Sequence, residues 1–123
     1  MFEKREIYRA IGELVYVIAK AHDGIVIVEK KKFYEVIEKE LNFEAWAAQS
    51  RFELLDEVTH PTLEHAYNDA MFEFRKYKEY LTEDMKEMAI RVLQEVAHAY
   101  KGSSEFQNFI LDRFMYDLNH LNS

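Results

Sequence analysis

Two Glu-x-x-His spacings, Glu57-Val58-Thr59-His60 and Glu95-Val96-Ala97-His98, are the first places where this chain could do chemistry. On a helix that spacing sets a carboxylate and an imidazole on one face. Two such pairs with further glutamates hold the metals of di-metal carboxylate (ferritin-like) oxidases. Helical arithmetic weighs against such a centre. Taking about 100° per residue from Met85, the apolar stripe centres near 10°, with Glu95 near 280° and His98 near 220°. Glu13, about 240° from Ile7, is likewise expected outside the apolar stripe of its helix. His60 directly precedes Pro61, where an α-helix is expected to have ended. A di-metal helical bundle therefore stands as the alternative reading, and a chain without catalytic residues as the first. His22 lies at about 60° on the same wheel, at the margin of the buried face and next to Asp23.

Other chemistries lack their residues. With no cysteine there is no disulfide, no thiolate zinc site and no cysteine nucleophile, a composition that suits a reducing cytoplasm. Neither a glycine-rich phosphate cradle nor a serine nucleophile elbow occurs. No cofactor is required by what remains. Sixteen Lys and Arg against 23 Asp and Glu give a net charge of −7, which removes the attraction to phosphate that drives non-specific nucleic-acid binding. The basic runs Lys30-Lys31-Lys32 and Arg75-Lys76-Tyr77-Lys78 are expected on solvated helix faces, and leave peripheral membrane association open. No run approaches the ~20 apolar residues of a membrane span, and Met1 to Glu6 carries no hydrophobic leader. A soluble cytoplasmic protein is the expectation.

The elements that must position these residues are helices. Three Gly and one Pro in 123 residues are too few for an all-β chain of frequent turns. The length fits a single domain over residues 1–123, and 49% hydrophobic content supplies a core. The first helix is expected from Glu3 to His22, with Ile7, Ile11, Leu14, Val15 and Ile18 inward and Gly24 as its stop. The second runs from Val28 to Leu41, after the β-branched connector Ile25 to Val28. Asn42 is a candidate N-cap for a third helix burying Trp46, Ala47, Phe52, Leu54, Leu55 and Val58. Pro61 opens the first turn of a fourth, with Leu63, Tyr67, Ala70, Phe74, Tyr77 and Leu81 on one face. Thr82 caps a fifth helix, and Ser103 or Ser104 a last one carrying Phe106, Phe109, Ile110, Phe114, Leu118 and Leu121. The expected architecture is all-α: a compact bundle of about six helices.

Aromatics exceed what so small a bundle must bury. Phe72, Phe74, Tyr77 and Tyr80 form one group, and Phe106, Phe109, Phe114 and Tyr116 another. Such residues favour the cores of protein contacts, so a protein partner or a homodimer through the final helix is expected.

Leu14 to Gly24 aligns with Val92 to Gly102, pairing Ile18 with Val96, Ala19 with Ala97, Ala21 with Ala99 and Gly24 with Gly102. Two loosely repeated helix-loop-helix units follow from that register. The stretch Ala19-Lys20-Ala21-His22-Asp23-Gly24, with Glu29 beyond it, resembles the loop of TerB-like domains, a family named for a bacterial tellurite-resistance protein. The resemblance implies an all-helical, non-enzymatic module of stress-response and membrane-linked assemblies. It also implies a divalent-cation site at the loop, here Asp23 and Glu29 with His22 beside them. The departures are Ile27-Val28-Glu29-Lys30, where a capped run of glutamates belongs, and Lys101, where an aspartate does. Two carboxylates make at most a weak site for a cation that takes six to eight oxygens.

Overall fold

The computed structural model describes residues 2–21, 27–99 and 105–121. Its elements are α1 (Phe2–Lys20), α2 (Ile27–Leu41), α3 (Ala45–Leu54), α4 (Leu63–Lys76), α5 (Glu83–His98) and α6 (Glu105–Leu118), with no strand among the described residues. The chain is all-α. Short 3₁₀ turns occupy Asn42–Glu44 and Lys78–Tyr80, and a π-helical turn occupies Leu55–Thr59.

α1 is the central rod. Ile7, Tyr8 and every residue from Ala10 to Ala19 are buried, because α3, α4 and α5 pack around it. A helix covered on all sides must be nearly apolar all round, and apart from Gly12 and Glu13 the run Ala10 to Ala19 is. Gly12 has a steric role: a Cβ there would sit 2.2 Å from the carbonyl oxygen of Ala48. The α1 and α3 backbones therefore touch, with Ala45, Ala47 and Ala48 buried on the facing helix. Phe52 fills the next gap, edge-on to Tyr16, Phe33 and Tyr34 at centroid distances of 6.5, 5.9 and 6.1 Å.

α2 packs across α3 and α5. Among its described side chains Phe33, Ile37 and Leu41 are buried, and ion pairs fasten both its ends. Lys30 Nζ is 2.6 Å from Asp56, Lys39 Nζ is 3.0 Å from Glu95, and Glu40 is 3.1 Å from Arg91. Ile27 and Val28 belong to the first turn of α2 rather than to a connector. Thr62 and Thr82 accept the backbone N–H of His65 and Met85, each at 3.1 Å, and so cap α4 and α5. Pro61 stands before the Thr62 cap instead of inside the helix. The stripe expected to run on to Leu81 leaves the helix at Lys76.

Several expectations change in the third segment. Asn42 does not cap α3; its φ of 54° puts it in the left-handed region that terminates α2, a conformation asparagine accepts more readily than most residues. Trp46, Leu54 and Val58, expected in the core, are 47%, 43% and 67% exposed. A π turn inserts an extra residue and shifts the helical phase. The His60 amide here donates to the Leu55 carbonyl at 2.9 Å, which turns Val58 outward. His60 then leaves through φ 46°, left-handed rather than extended. Trp46 lies with its ring about 5.6 Å from both the Arg5 and Arg9 guanidinium groups.

Candidate interaction surface

The expected cation ligands are His22, Asp23 and Glu29. His22 and Asp23 lie outside the described residues, as does the side chain of Glu29. The Glu-x-x-His pairs are described, and they are far apart. Glu57 is 3.7 Å from Lys30 and Glu95 is 3.0 Å from Lys39, and the nine-position helical separation of those lysines spans about 13 Å. His60 and His98 are both exposed. Glu95 and His98 instead line an open groove between α2 and α5 with Lys32, Glu35 and Val36. Among the described residues, no three His, Asp or Glu side chains come together as a metal-ion site.

One carboxylate departs from the helical-wheel expectation. Glu13 is 1% exposed, ion-paired to Arg51 of α3 and facing Asp69 of α4. Burial raises its pKa from 4.5 to about 7, with the Asp69 charge adding to the rise and Arg51 opposing it. This three-helix junction holds a proton near neutrality. It ties α1, α3 and α4 together.

A stripe of exposed aromatics lies along α6. That helix carries two stripes. Gln107, Ile110, Leu111, Phe114 and Leu118 are buried; Phe106, Phe109 and Tyr116 are 49%, 61% and 63% exposed. The sequence pattern had grouped Phe106 and Phe109 with the core stripe. Both groups are apolar, so helical spacing alone could not assign them to opposite sides.

α6 lies against α5 at close backbone range, and meets its other neighbours through long side chains. Phe114 meets Phe74 of α4 at 5.7 Å between ring centroids. Gln107 Nε2 donates to the Ile18 carbonyl at 3.0 Å, satisfying one of the carbonyls that the end of α1 leaves open. The space left between α4 and α6 is a groove of about 280 Å³, lined by Leu63, Glu64, Tyr67, Phe106, Phe109 and Arg113 among others. Two of its lining residues are in contact with each other. The Arg113 guanidinium lies 4.2 Å above the Tyr67 ring, and the Tyr67 hydroxyl donates to Asp117 at 2.6 Å. Burial, then the Asp117 carboxylate, push the Tyr67 hydroxyl well above the usual tyrosine range, so it stays a donor.

No protein-family profile, curated protein or solved structure matches this chain. No helix among the described residues is long and apolar enough to cross a membrane.

Proposed function

We propose that this protein is a non-enzymatic, TerB-like helical module that binds a partner protein through the aromatic face of α6. The observation that carries the reading is the pair Phe106 and Phe109, 49% and 61% exposed beside a preformed groove. Aromatic residues at such density mark the centres of protein contacts. The test is a photoreactive phenylalanine analogue in place of Phe109 in the living host. An adduct heavier than the chain, absent when the analogue replaces exposed Phe43 (98% exposed) at the far end of α2, supports the reading. Equal labelling at both positions, or none at Phe109, contradicts it.

The TerB-like part of the proposal rests on the loop motif and on the pairing of Leu14–Gly24 with Val92–Gly102. In that pairing Ile18, Ala19, Val96 and Ala97 are all fully buried, as two equivalent units require. A weak divalent-cation site at His22, Asp23 and Glu29, in a stress-response role, belongs to the same proposal. Thermal melting with millimolar Ca²⁺, Mg²⁺, Mn²⁺ or Zn²⁺ tests it, since a ligand at a hundred times its Kd adds about 2.7 kcal/mol. An unchanged melting temperature in all four removes the cation site and leaves the interaction module.

A further inference from the structure

Phe106, Phe109, Arg113 and Tyr116 recur at spacings of three and four, and His120 continues the series one turn beyond α6. This is the a/d rhythm of a coiled-coil seam, and it faces solvent. From Phe106 to His120 it runs about 21 Å along the surface, four helical turns. Its far end is ordered: the His120 ring stacks on Tyr116 at 4.0 Å between centroids, and its Nδ1 is 2.6 Å from the Tyr116 carbonyl.

The flanks of the seam carry one sign of charge. Glu105 and Asp112, both exposed, lie about 60° to 80° from the seam centre on the side away from α4. Glu64 lines the groove on the opposite side. The one cation within the seam, Arg113, is already matched: Asp117 stands 3.7 Å from it, Asn68 3.5 Å, and the Tyr67 ring lies beneath. Among the described residues, an incoming cation therefore meets unmatched carboxylates on both borders and no unmatched lysine or arginine between them. A second copy of this chain would instead bring acidic flanks against acidic flanks on a molecule of net charge −7.

We infer that the α6 seam is the docking site for one amphipathic helix of a partner protein, of at least four turns, with an apolar stripe bordered by Lys and Arg. This rests on the interaction reading above and names the partner's chemistry. Apolar residues at i, i+3, i+4 and i+7 on that helix pack between the aromatic knobs of α6 and into the groove beside α4. Its basic borders pair with Glu64, Glu105 and Asp112, which sets orientation and raises the association rate.

The experiment uses the full chain and two fluorescein-labelled model peptides of 21 residues sharing one leucine seam. One has lysine borders and the other glutamate borders, and binding is read by anisotropy. At about 0.15 M salt the lysine peptide is expected to bind at least tenfold more tightly, and its affinity to fall about tenfold in the Phe109→Ser chain. A Glu64→Lys, Glu105→Lys, Asp112→Lys chain should invert the preference. Circular dichroism melts confirm that each variant folds. Equal binding of the two peptides, or a preference that survives charge reversal, overturns the basic-helix assignment. A dimer in sedimentation that Phe109→Ser dissolves also overturns it, while keeping the interaction module. Binding of neither peptide, with the chain monomeric throughout, overturns both.

Discussion

α1 and α6 are both rich in apolar residues, yet the molecule uses them in opposite ways. From Ala10 to Ala19 α1 is buried all round, and it meets α3 at backbone contact, with Gly12 against Ala48. α6 buries one stripe, shows the other to solvent and spans to α4 with aromatic side chains. Close backbone approach leaves no space for a ligand or a partner. Long side chains hold helices apart and leave a groove between them. The central rod is thus spent on packing, and the outer helix leaves an aromatic stripe in solvent.

The contrast breaks most sharply at the rings around the rod. Phe52 is fully buried among three aromatic neighbours. Phe52→Ala should cost about 3–5 kcal/mol, the range for a buried phenylalanine whose cavity cannot collapse. Urea unfolding checks it through the shift in midpoint at constant m. A loss below about 1 kcal/mol would mean that α3 closes over the gap and that the contact with α1 is not rigid.

The proton at Glu13 is next in size. Its folded pKa of about 7 stands above the ordinary 4.5, so the folded chain binds the proton more tightly than the unfolded one. That contribution is fully present below pH ~4.5, declines as pH rises, and is gone above pH ~7. About two and a half units at 1.36 kcal/mol each make the loss about 3 kcal/mol. Glu13→Gln mimics the protonated carboxyl, donating to Asp69 and accepting from Arg51. It should flatten the fall in stability between pH 5 and 8 and leave the variant more stable than the native chain at pH 8. An unchanged slope would place Glu13 in water rather than at the three-helix junction.

Gly12→Ala separates two effects of opposite sign. Alanine favours a helix by about 1 kcal/mol over glycine, so an exposed glycine would gain. Here the new methyl meets a backbone carbonyl that cannot rotate away, and forcing the helices apart costs about 1–3 kcal/mol. A net loss of about 1 kcal/mol in thermal or urea unfolding is expected; a gain would show that α1 and α3 do not touch.

The all-helical architecture was legible because α4 and α5 each follow one amphipathic rhythm, and α5 begins at the expected Thr82 cap; the Thr62 cap of α4 was hidden by the neighbouring Pro61, which reads as a first-turn residue. α1 was harder. Its wheel placed Glu13 on a solvent side, since nothing local reveals that Arg51 and Asp69, 38 and 56 positions further on, close over it. In the third segment Val58 carries a core-like pattern, but the π turn at Leu55–Thr59 changes the helical phase, and π turns have no sharp residue signature; Trp46 and Leu54, ahead of that turn, are apolar residues on the outer side of α3, which composition alone does not distinguish from its core side. The excess of aromatics pointed to an interface. Phe106 and Phe109 could not be told from Phe114, because a helix with apolar residues on two faces presents one broad stripe until its neighbours are known.

The smallest expected effect tests the α6 side of the contrast. If Phe109 belongs to a recognition surface, its removal should hardly touch the fold: it is 61% exposed, whereas Phe114 on the same helix is fully buried against Phe74. Phe109→Ser should stay within about 0.5 kcal/mol of the native stability, as surface substitutions do. Phe114→Ala should lose about 3–5 kcal/mol. Both are read by urea unfolding of the isolated chain, where no partner can mask the difference. If instead the two variants lose similar amounts, Phe109 is part of the packing and the groove beside α4 is closed in solution. The partner site would then have to lie elsewhere, with exposed Trp46 and Phe43 at the other end of the molecule as the next surface to probe.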